Sequence, residues 1–345
     1  MYKPLTYRKK RLGLVKIPDR KNDLKNFPED WSYRLFMSVD LQNSTSFKKN
    51  SYKNGVPENA EWAWVFENFY RDFFDIFRNE LNIYAHLPVP SIWKCLGDEI
   101  IFQVEITDSA DVLKYVLSFR KAIESYNEKA KCGRNKHLQS QGTVWGAGFP
   151  VRNHCIEIPG TNNEKQADFI GLDIDIGFRI SKYSKPERLV LSLPIAYILS
   201  LHDCENIRYY DEINAQGVDA EYPIFWLLSS TNPKTPGRLL LSPSPIDSII
   251  VFCTNYFEKE DNSAYSKPFI KNDKSNKCGE IPDYMIQRKK ENDKAEIERK
   301  QGLIGKSGKE PNTDSKLKKA DTAKMNKLKQ IENEFESIRP TESSS

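Results

Sequence analysis

The stretch Arg34-Leu-Phe-Met-Ser-Val-Asp-Leu-Gln-Asn-Ser-Thr45 decides how the rest of this sequence is interpreted. Residues 35–39 are nearly all apolar, which is typical of a strand covered on both faces. Asp40 ends this predicted strand, and the polar turn 42–45 follows it. A carboxylate beside free backbone N–H groups can hold a divalent cation, and the cation can hold phosphates. Because aspartate before a turn is common, the interpretation depends on a second acid at a matching place.

The second acid lies in the segment 92–104, which is predicted to be a β-hairpin with its tight turn at Gly97-Asp98. Asp40 at a strand end and Asp98 in the turn of a neighbouring hairpin can converge on the same site. Two carboxylates in such an arrangement can bind the metal ions that clamp the oxygens of a phosphoryl group.

The composition predicts a soluble cytoplasmic protein with a sizeable core. The chain has 345 residues, 39% of them hydrophobic, and a net charge of only +4, which does not indicate a nucleic-acid partner. No apolar run approaches the ~18 residues of a membrane span, and the basic N-terminus lacks the apolar core of a signal peptide. The six cysteines show no C-x-x-C spacing, which favours free thiols over disulfides or a zinc site.

Three segments are predicted. Residues 1–30 form a basic, polar arm, and residues 31–256 alternate predicted strands with helices, which indicates an α/β or α+β domain with a central sheet. Residues 257–345 are rich in Lys, Glu, Asp, Asn and Ser, so they bury too little surface to offset their ordering entropy and are expected to be mostly disordered. Transient charged helices are expected at 284–301 and 314–336.

The clearest helix is predicted over residues 60–84, where aromatic residues recur at three- and four-residue steps. Its apolar face is wide enough to pack on a sheet and on a second subunit. Another helix is predicted over 108–129, with Asp108 as its N-cap. The segment 168–181 is interpreted as a turn that opens a helix.

Three blocks, in this order, resemble the catalytic domain of class III nucleotidyl cyclases over about residues 30–230. Val39 to Thr45 resembles the family's strand-end acid and its following turn. Lys94-Cys-Leu-Gly-Asp-Glu99 resembles its Lys-x-x-Gly-Asp hairpin, and Asp168 to Arg179 resembles its block of Asp, Gly, Asn and Arg. The resemblance implies an α+β, ferredoxin-like (palm-type) domain whose central, mostly antiparallel sheet is flanked by helices.

The resemblance also implies a chemistry and a role for each matching residue. The ribose 3′-oxygen of a nucleoside triphosphate attacks the α-phosphorus, and pyrophosphate leaves. Two divalent ions, Mn²⁺ or Mg²⁺, are implied at Asp40, Asp98 and the carbonyl of Leu41. Arg179 is the implied catalytic cation and Asp175 its partner in catalysis, while the backbone of Asn43, Ser44 and Thr45 is implied to hold the phosphates. The family's site forms between two subunits, which implies a homodimer.

This sequence departs from the family pattern at two of these positions. Asn43 replaces a glycine, although asparagine tolerates the left-handed conformation, and Asp175 stands where asparagine is common. Lys94 and Asp168 occupy positions that read the adenine edge in adenylate cyclases. The standalone domain, the segment Val39 to Lys48 and the aromatic helix most closely resemble the bacterial antiphage Pycsar cyclases, which make cyclic UMP or cyclic CMP. An aromatic such as Tyr52 would then fill space beside the smaller base.

The resemblance implies a metal-dependent pyrimidine nucleotide cyclase, with UTP preferred to CTP, whose product is read by a separate effector in antiviral defence. An adenylate cyclase remains an alternative because of Lys94 and Asp168. A catalytically silent, nucleotide-binding domain is a second alternative, which the retained Asp40, Asp98 and Arg179 disfavour. A diguanylate cyclase is disfavoured because residues 96–100 lack that family's Gly-Gly-Asp/Glu-Glu-Phe hairpin.

Overall fold

A computed structural model describes residues 31–50, 52–53, 56–57, 61–131, 138–159, 165–214, 221–228, 245–259 and 265–306. The predicted N-terminal arm and the predicted helix at 314–336 lie outside these residues. The chain divides into a first unit, residues 1–287, and a second unit, residues 288–345.

The elements of the chain alternate between strands and helices. The strands are β1 (Ser32–Leu41), β2 (Tyr52–Lys53), β3 (Val56–Pro57), β4 (Ser91–Leu96), β5 (Glu99–Ile106), β6 (Ser140–Phe149), β7 (Asn153–Pro159), β8 (Lys165–Gly171), β9 (Arg188–Leu191), β10 (Ile207–Asn214) and β11 (Glu221–Leu228). The helices are α1 (Ser44–Asn50), α2 (Glu61–Leu81), α3 (Ser109–Lys131), α4 (Leu172–Ile180), α5 (Leu193–Leu201), α6 (Pro245–Phe257) and α7 (Asp283–Lys306).

The main sheet has the strand order β10-β11-β9-β6-β1-β5-β4. Its pairs are antiparallel except for β6 and β9, which run parallel. The order β6-β1-β5-β4, with α2 after β1 and α3 after β5, is the 4-1-3-2 arrangement of a ferredoxin-like unit. The predicted α+β class with a mostly antiparallel sheet flanked by helices is therefore confirmed.

β1 lies inside the sheet and is paired along its length with β5 on one side and β6 on the other. Its side chains alternate between the two faces, as strand geometry requires. Leu35, Met37, Val39 and Leu41 belong to the large core with α2 and α3. Phe36, Ser38 and Asp40 point to the other side, which we call the acid face. Both faces of β1 are thus packed against other elements, which explains why residues 35–39 are nearly all apolar.

The large core explains the aromatic pattern of the predicted helix at 60–84, which corresponds to α2. Phe69, Phe73 and Phe77 of α2 are fully buried and, with Phe102 of β5 and Phe119 of α3, form a chain of edge-on and tilted ring contacts. The hydroxyl of Tyr70 donates to the carbonyl oxygen of Gly97, which connects α2 to the hairpin turn. The position of that turn thus depends on the packed helix.

The acid face is partly covered by α4 and by the β7–β8 hairpin. Phe36, Trp145 and Phe149 of the sheet pack there against Phe169 of β8 and Ile174 of α4. The segment 168–171 was interpreted as a turn, but it is the end of β8, because β8 pairs with β7 at every residue from 165 to 171. α4 begins only at Leu172.

The described part of the predicted tail includes residues that pack in the first unit. Tyr265, Phe269, Ile270 and Cys278 are buried, and Phe269 makes edge contacts with Trp31 and Tyr33. The carboxylate of Asp273 accepts hydrogen bonds from the backbone N–H and hydroxyl groups of Ser109, at the start of α3. The few apolar residues of this segment are therefore placed by contacts with the core, which its polar composition conceals.

The described part of the second unit, residues 288–306, is helical and belongs to α7. It carries the ion pairs Arg288–Glu291 and Lys289–Asp293 at helical spacing. Among the helices described, none is both long and apolar enough to cross a membrane.

Candidate active site

The two predicted strand-end acids lie together at one edge of the acid face. Asp40 pairs with Glu99 across β5 and with Gln141 across β6. Asp98 occupies the turn between β4 and β5, beside Gly97, whose φ of 72° requires a residue that tolerates the left-handed region. The side chains of Asp40 and Asp98 are close enough to share a hydrogen bond. The structure thus places the two predicted acids near each other, and their role as metal ligands stays a prediction.

The convergence of acids changes the protonation of Asp40. Partial burial first, and then the nearby charges of Asp98 and Glu99, together raise the pKa of Asp40 to about 7. The pKa of Glu99 is also raised, first by burial and then by Asp98, against a lowering hydrogen bond from Ser38. Negative charge is thus concentrated where the protein supplies little to neutralise it.

Three residues that the sequence-based interpretation missed complete this acid cluster. Lys48 of α1 donates to Asp98 Oδ1 at 3.3 Å. Gln141 Nε2 lies 3.5 Å from Asp40 Oδ2. Glu99 directly follows Asp98 in the hairpin, so its position next to the turn was the available signal. The contact of Gln141 comes only from strand pairing and had no signal in the sequence.

The predicted phosphate-binding turn follows β1 directly. Asn43 has a φ of 65°, which confirms that this position requires the left-handed conformation, and its carbonyl accepts the first hydrogen bond of α1 from Phe47. The hydroxyl of buried Ser44 donates to Asp98 Oδ2, so this side chain positions the acid. Thr45 is exposed. Tyr52 lies in β2, but its side chain is outside the described part of the structure.

Lys94 and Asp168, which the family resemblance pairs as base-reading residues, form an ion pair. Lys94 Nζ lies 2.7 Å from Asp168 Oδ1 and 4.5 Å from the centre of the Trp93 ring. Asp168 also accepts from the backbone N–H of Phe169. Both side chains are partly exposed, so the pair offers one donor and one acceptor group to a ligand.

Asp175 and Arg179 both lie on α4, and neither is hydrogen-bonded to or ion-paired with Asp40 or Asp98 among the described residues. Asp175 is exposed and Arg179 is half-buried. Among the described residues neither side chain forms an ion pair, and the buried Nη1 of Arg179 has no hydrogen-bond partner. α4 packs on the sheet through Gly177 and Trp145, and Trp145 pairs with Phe36, four residues or about 14 Å along β1 from Asp40.

The structure therefore brings the predicted residues together as three separate groups. Asp40, Leu41, Asp98 and the turn 43–45 form the first, Lys94 and Asp168 the second, and Asp175 and Arg179 the third. No group of three or more His, Cys, Asp or Glu side chains in the described residues converges as a metal centre. An ion at Asp40 and Asp98 would take further ligands from backbone carbonyls, water or substrate.

Several solved structures of cyclase domains align with part of this chain. The adenylyl cyclase CyaB from P. aeruginosa aligns over 60% of this chain and 98% of its own, with 12% identity and a TM-score of 0.45. The guanylyl cyclase Cya2 aligns over the same shares, with 14% identity and a TM-score of 0.44. The guanylate cyclase domain of RhGC from Catenaria anguillulae, in complex with GTP, covers 58% of this chain and 98% of its own, with 9% identity and a TM-score of 0.41.

No protein-family model matches the sequence. A search of curated proteins also finds no match.

Proposed function

We propose that this chain is a metal-dependent nucleotidyl cyclase that converts a pyrimidine nucleoside triphosphate, UTP in preference to CTP, to the 3′,5′-cyclic monophosphate and pyrophosphate. The observation that carries the proposal is the convergence of Asp40 and Asp98 at a strand end and a hairpin turn, directly before the turn 42–45. Like-charged acids placed together cost stability unless a cation neutralises them, which favours a functional role for this pair.

The donor set fits divalent cations such as Mn²⁺ or Mg²⁺. The carboxylates of Asp40 and Asp98 and the backbone carbonyl of Leu41 supply only oxygen atoms, which these hard cations prefer. Lys48 forms an ion pair with Asp98, and the raised pKa of Asp40 indicates that negative charge remains in excess beside it. When bound, divalent ions supply charge stabilisation to the attacking and leaving oxygens.

The proposed reaction exchanges one bond at the α-phosphorus, and residues of the chain position the groups that take part. The 3′-oxygen forms a bond to the α-phosphorus while the bond from that phosphorus to the pyrophosphate oxygen breaks, and the 3′-hydroxyl proton leaves to solvent or to a nearby base. Ser44 and Lys48 hold Asp98 in place for this reaction. The backbone N–H groups of the turn 43–45 bind phosphate oxygens.

Arg179 is proposed to act from the second subunit of a homodimer. Its guanidinium lacks an ion-pair partner among the described residues of its own chain, and its buried Nη1 has no hydrogen-bond partner there. Charge on the α-phosphate in the transition state would give it a partner. Ile156, Ile158 and Ile170 are exposed on the face of the β7–β8 hairpin that also carries Asp168, and a second copy of the chain would cover this apolar surface.

The biological role that we propose is production of a cyclic pyrimidine second messenger in antiphage defence, read by a separate effector. This proposal and the pyrimidine preference rest on the resemblance to Pycsar cyclases in the segment Val39 to Lys48 and the aromatic helix α2. We further propose that residues 31–256 form the catalytic domain, residues 1–30 an N-terminal arm and residues 257–345 a C-terminal extension. The proposed site of action is the cytoplasm.

One observation favours ATP as a second candidate substrate. The ion pair between Lys94 and Asp168 presents an ammonium and a carboxylate side by side, which matches the donor and acceptor edge of adenine. A substrate assay with all four nucleotides separates the two candidates.

The test incubates the full chain with each of UTP, CTP, ATP and GTP and with Mn²⁺ or Mg²⁺, and identifies products by mass spectrometry. We expect cyclic UMP as the main product, and loss of activity by at least about 100-fold in Asp40→Ala and Asp98→Ala. Asp75→Ala is the matched control, because this acid is exposed on α2, where it pairs with Arg78. Unchanged product formation in both site variants would contradict the metal assignment.

A further inference from the structure

Arg188 lies in the same lateral row of the acid face as the acid cluster. Asp40 pairs with Gln141 across β6. Thr143 of β6 pairs with Val190 of the parallel strand β9, so the same register places Arg188 beside Gln141. Two strand spacings separate Asp40 from Arg188 along the sheet, about 10 Å between Cα atoms. An arginine side chain together with a phosphate chain spans such a distance.

An aromatic platform holds the guanidinium of Arg188. Its Cζ lies 4.2 Å from the centre of the Trp226 ring. Trp226 is itself stacked on Tyr210, with ring centres 3.9 Å apart and planes at 25°. Trp226 of β11 pairs with Val190 of β9. Val190 and Arg188 are two residues apart on β9, so Trp226 lies on the same face as Arg188. A guanidinium placed over an indole ring keeps its charge and has fewer conformations to lose on binding an anion.

The polar atoms of this region lack protein partners. Among the described residues the guanidinium of Arg188 makes no ion pair, and its buried Nε has no hydrogen-bond acceptor. Trp226 Nε1, Thr143 Oγ1 and Gln141 Oε1 are likewise buried without partners on the same face. Unsatisfied buried polar groups cost free energy. Gln141 and Thr143 lie on β6, between the acid cluster and Arg188, and Trp226 lies on β11 beyond Arg188. This row of unpartnered polar atoms indicates that a polar ligand completes the surface.

We propose that Arg188 is an anion-binding residue that receives the terminal phosphates of the nucleotide, and the pyrophosphate product after them. The assignment rests on the proposed function for the identity of the ligand, but the anion site itself follows from the geometry. Lys48 is already paired with Asp98, so it is not free to neutralise the phosphate chain. Arg188 has no acidic partner in the part of the chain that the structure describes, and its planar fork matches two phosphate oxygens.

The experiment measures binding of inorganic pyrophosphate with Mg²⁺ to the full chain by isothermal titration calorimetry. Arg188→Met keeps an apolar stem over Trp226 but removes the charge, and we expect its Kd for pyrophosphate to rise at least about 10-fold. Arg188→Lys keeps a point charge, and we expect a smaller rise of about threefold. Arg78→Ala removes the same charge from the exposed surface of α2, and its Kd should match that of the wild type.

The outcomes separate this inference from the proposed function. If Arg188→Met binds pyrophosphate with the Kd of the wild type, the inference is overturned. Arg188 then serves only packing or a subunit contact, whether or not thermal stability or subunit association changes. Absence of pyrophosphate binding to the wild type would overturn it as well. If pyrophosphate binding depends on Arg188 while none of the four nucleotides is cyclised, the anion site stands and the proposed function fails.

Discussion

The acid cluster and helix α4 carry the two halves of the candidate site. They differ in how many of their charged side chains have hydrogen-bond partners within the same chain. At the acid cluster, Asp98 has Ser44 and Lys48 as partners and Asp40 has Gln141. On α4, Asp175 is exposed, and the buried Nη1 of Arg179 has no partner in the described chain. The acids of the first half are held in place by side chains of the same chain. In the second half, the guanidinium of Arg179 has no ion-pair partner among the described residues.

This difference is informative because the two halves complement each other. The acid cluster has an excess of carboxylates, and α4 contributes an unpaired guanidinium. α4 meets the sheet at Trp145, whose partner Phe36 is separated from Asp40 by about 14 Å of strand. A site divided between two copies of the chain brings opposite charges together without moving either element in its own chain. The following predictions test this division.

The largest effect is expected from combining two inactive variants. Asp40→Ala and Arg179→Ala should each lower cyclase activity by about 100-fold or more, because one removes a metal ligand and the other the cation at the reacting phosphate. Co-refolded or co-expressed in equal amounts, they should recover about a quarter of the wild-type activity, since mixed dimers contain one intact site. Product is measured by mass spectrometry at equal total protein.

The control for that experiment combines Asp40→Ala with Asp98→Ala. Both changes affect the same half of the site, so their mixed dimers contain no intact site and should stay inactive. If the mixture of Asp40→Ala and Arg179→Ala also stays inactive although mixed dimers form, the site does not divide between chains as proposed.

A smaller effect is expected from the contact that positions α4. A Cβ atom at Gly177 would lie 2.3 Å from the ring of Trp145, which is fully buried and cannot withdraw. Gly177→Ala should therefore lower the free energy of unfolding by about 1–3 kcal/mol through overpacking, and should displace Arg179. Chemical denaturation measures the first effect and product formation the second.

Gly279→Ala is the matched control for Gly177→Ala. No atom lies within 4 Å of a Cβ at Gly279, so the same added methyl group should change the unfolding free energy by less than about 0.5 kcal/mol. Equal stability of both variants would contradict the tight packing of α4 on Trp145.

The same two regions show what the sequence can and cannot predict. The apolar run before Asp40 and the Gly-Asp turn are local signals, so the strand, the hairpin and the pairing of their acids were predictable. Asn43 at a positive φ was likewise predictable from its residue type. The α4 region was less so, because the end of the β8 strand before it depends on pairing with β7, and its apolar pattern also suits a helix.

Long-range placement accounts for the residues that the sequence did not indicate. Gln141 contacts Asp40 from a strand about one hundred positions away, and Arg188 joins the same row only through the parallel pairing of β6 with β9. The packing of Tyr265 and Phe269 in a polar, charged segment was hidden for a similar reason. Composition averages over such a segment, whereas a few apolar side chains suffice to anchor it.

The smallest effect is expected from neutralising the acid half in the absence of metal. Burial and the charges of Asp98 and Glu99 raise the pKa of Asp40 in the folded chain to about 7, above its unfolded value of about 4. The folded state therefore binds more protons between these values, and stability should fall as pH rises from about 4 to 7 and remain low above that. Asp40→Asn should remove this loss and raise the unfolding free energy at pH 8 in EDTA by about 1 kcal/mol.

Asp75→Asn, whose acid pairs with Arg78 on the exposed surface of α2, should not stabilise the chain. If Asp40→Asn is instead destabilising in EDTA, the acids are not in mutual repulsion, and the contrast between a charge-crowded half and an unpaired half loses its basis.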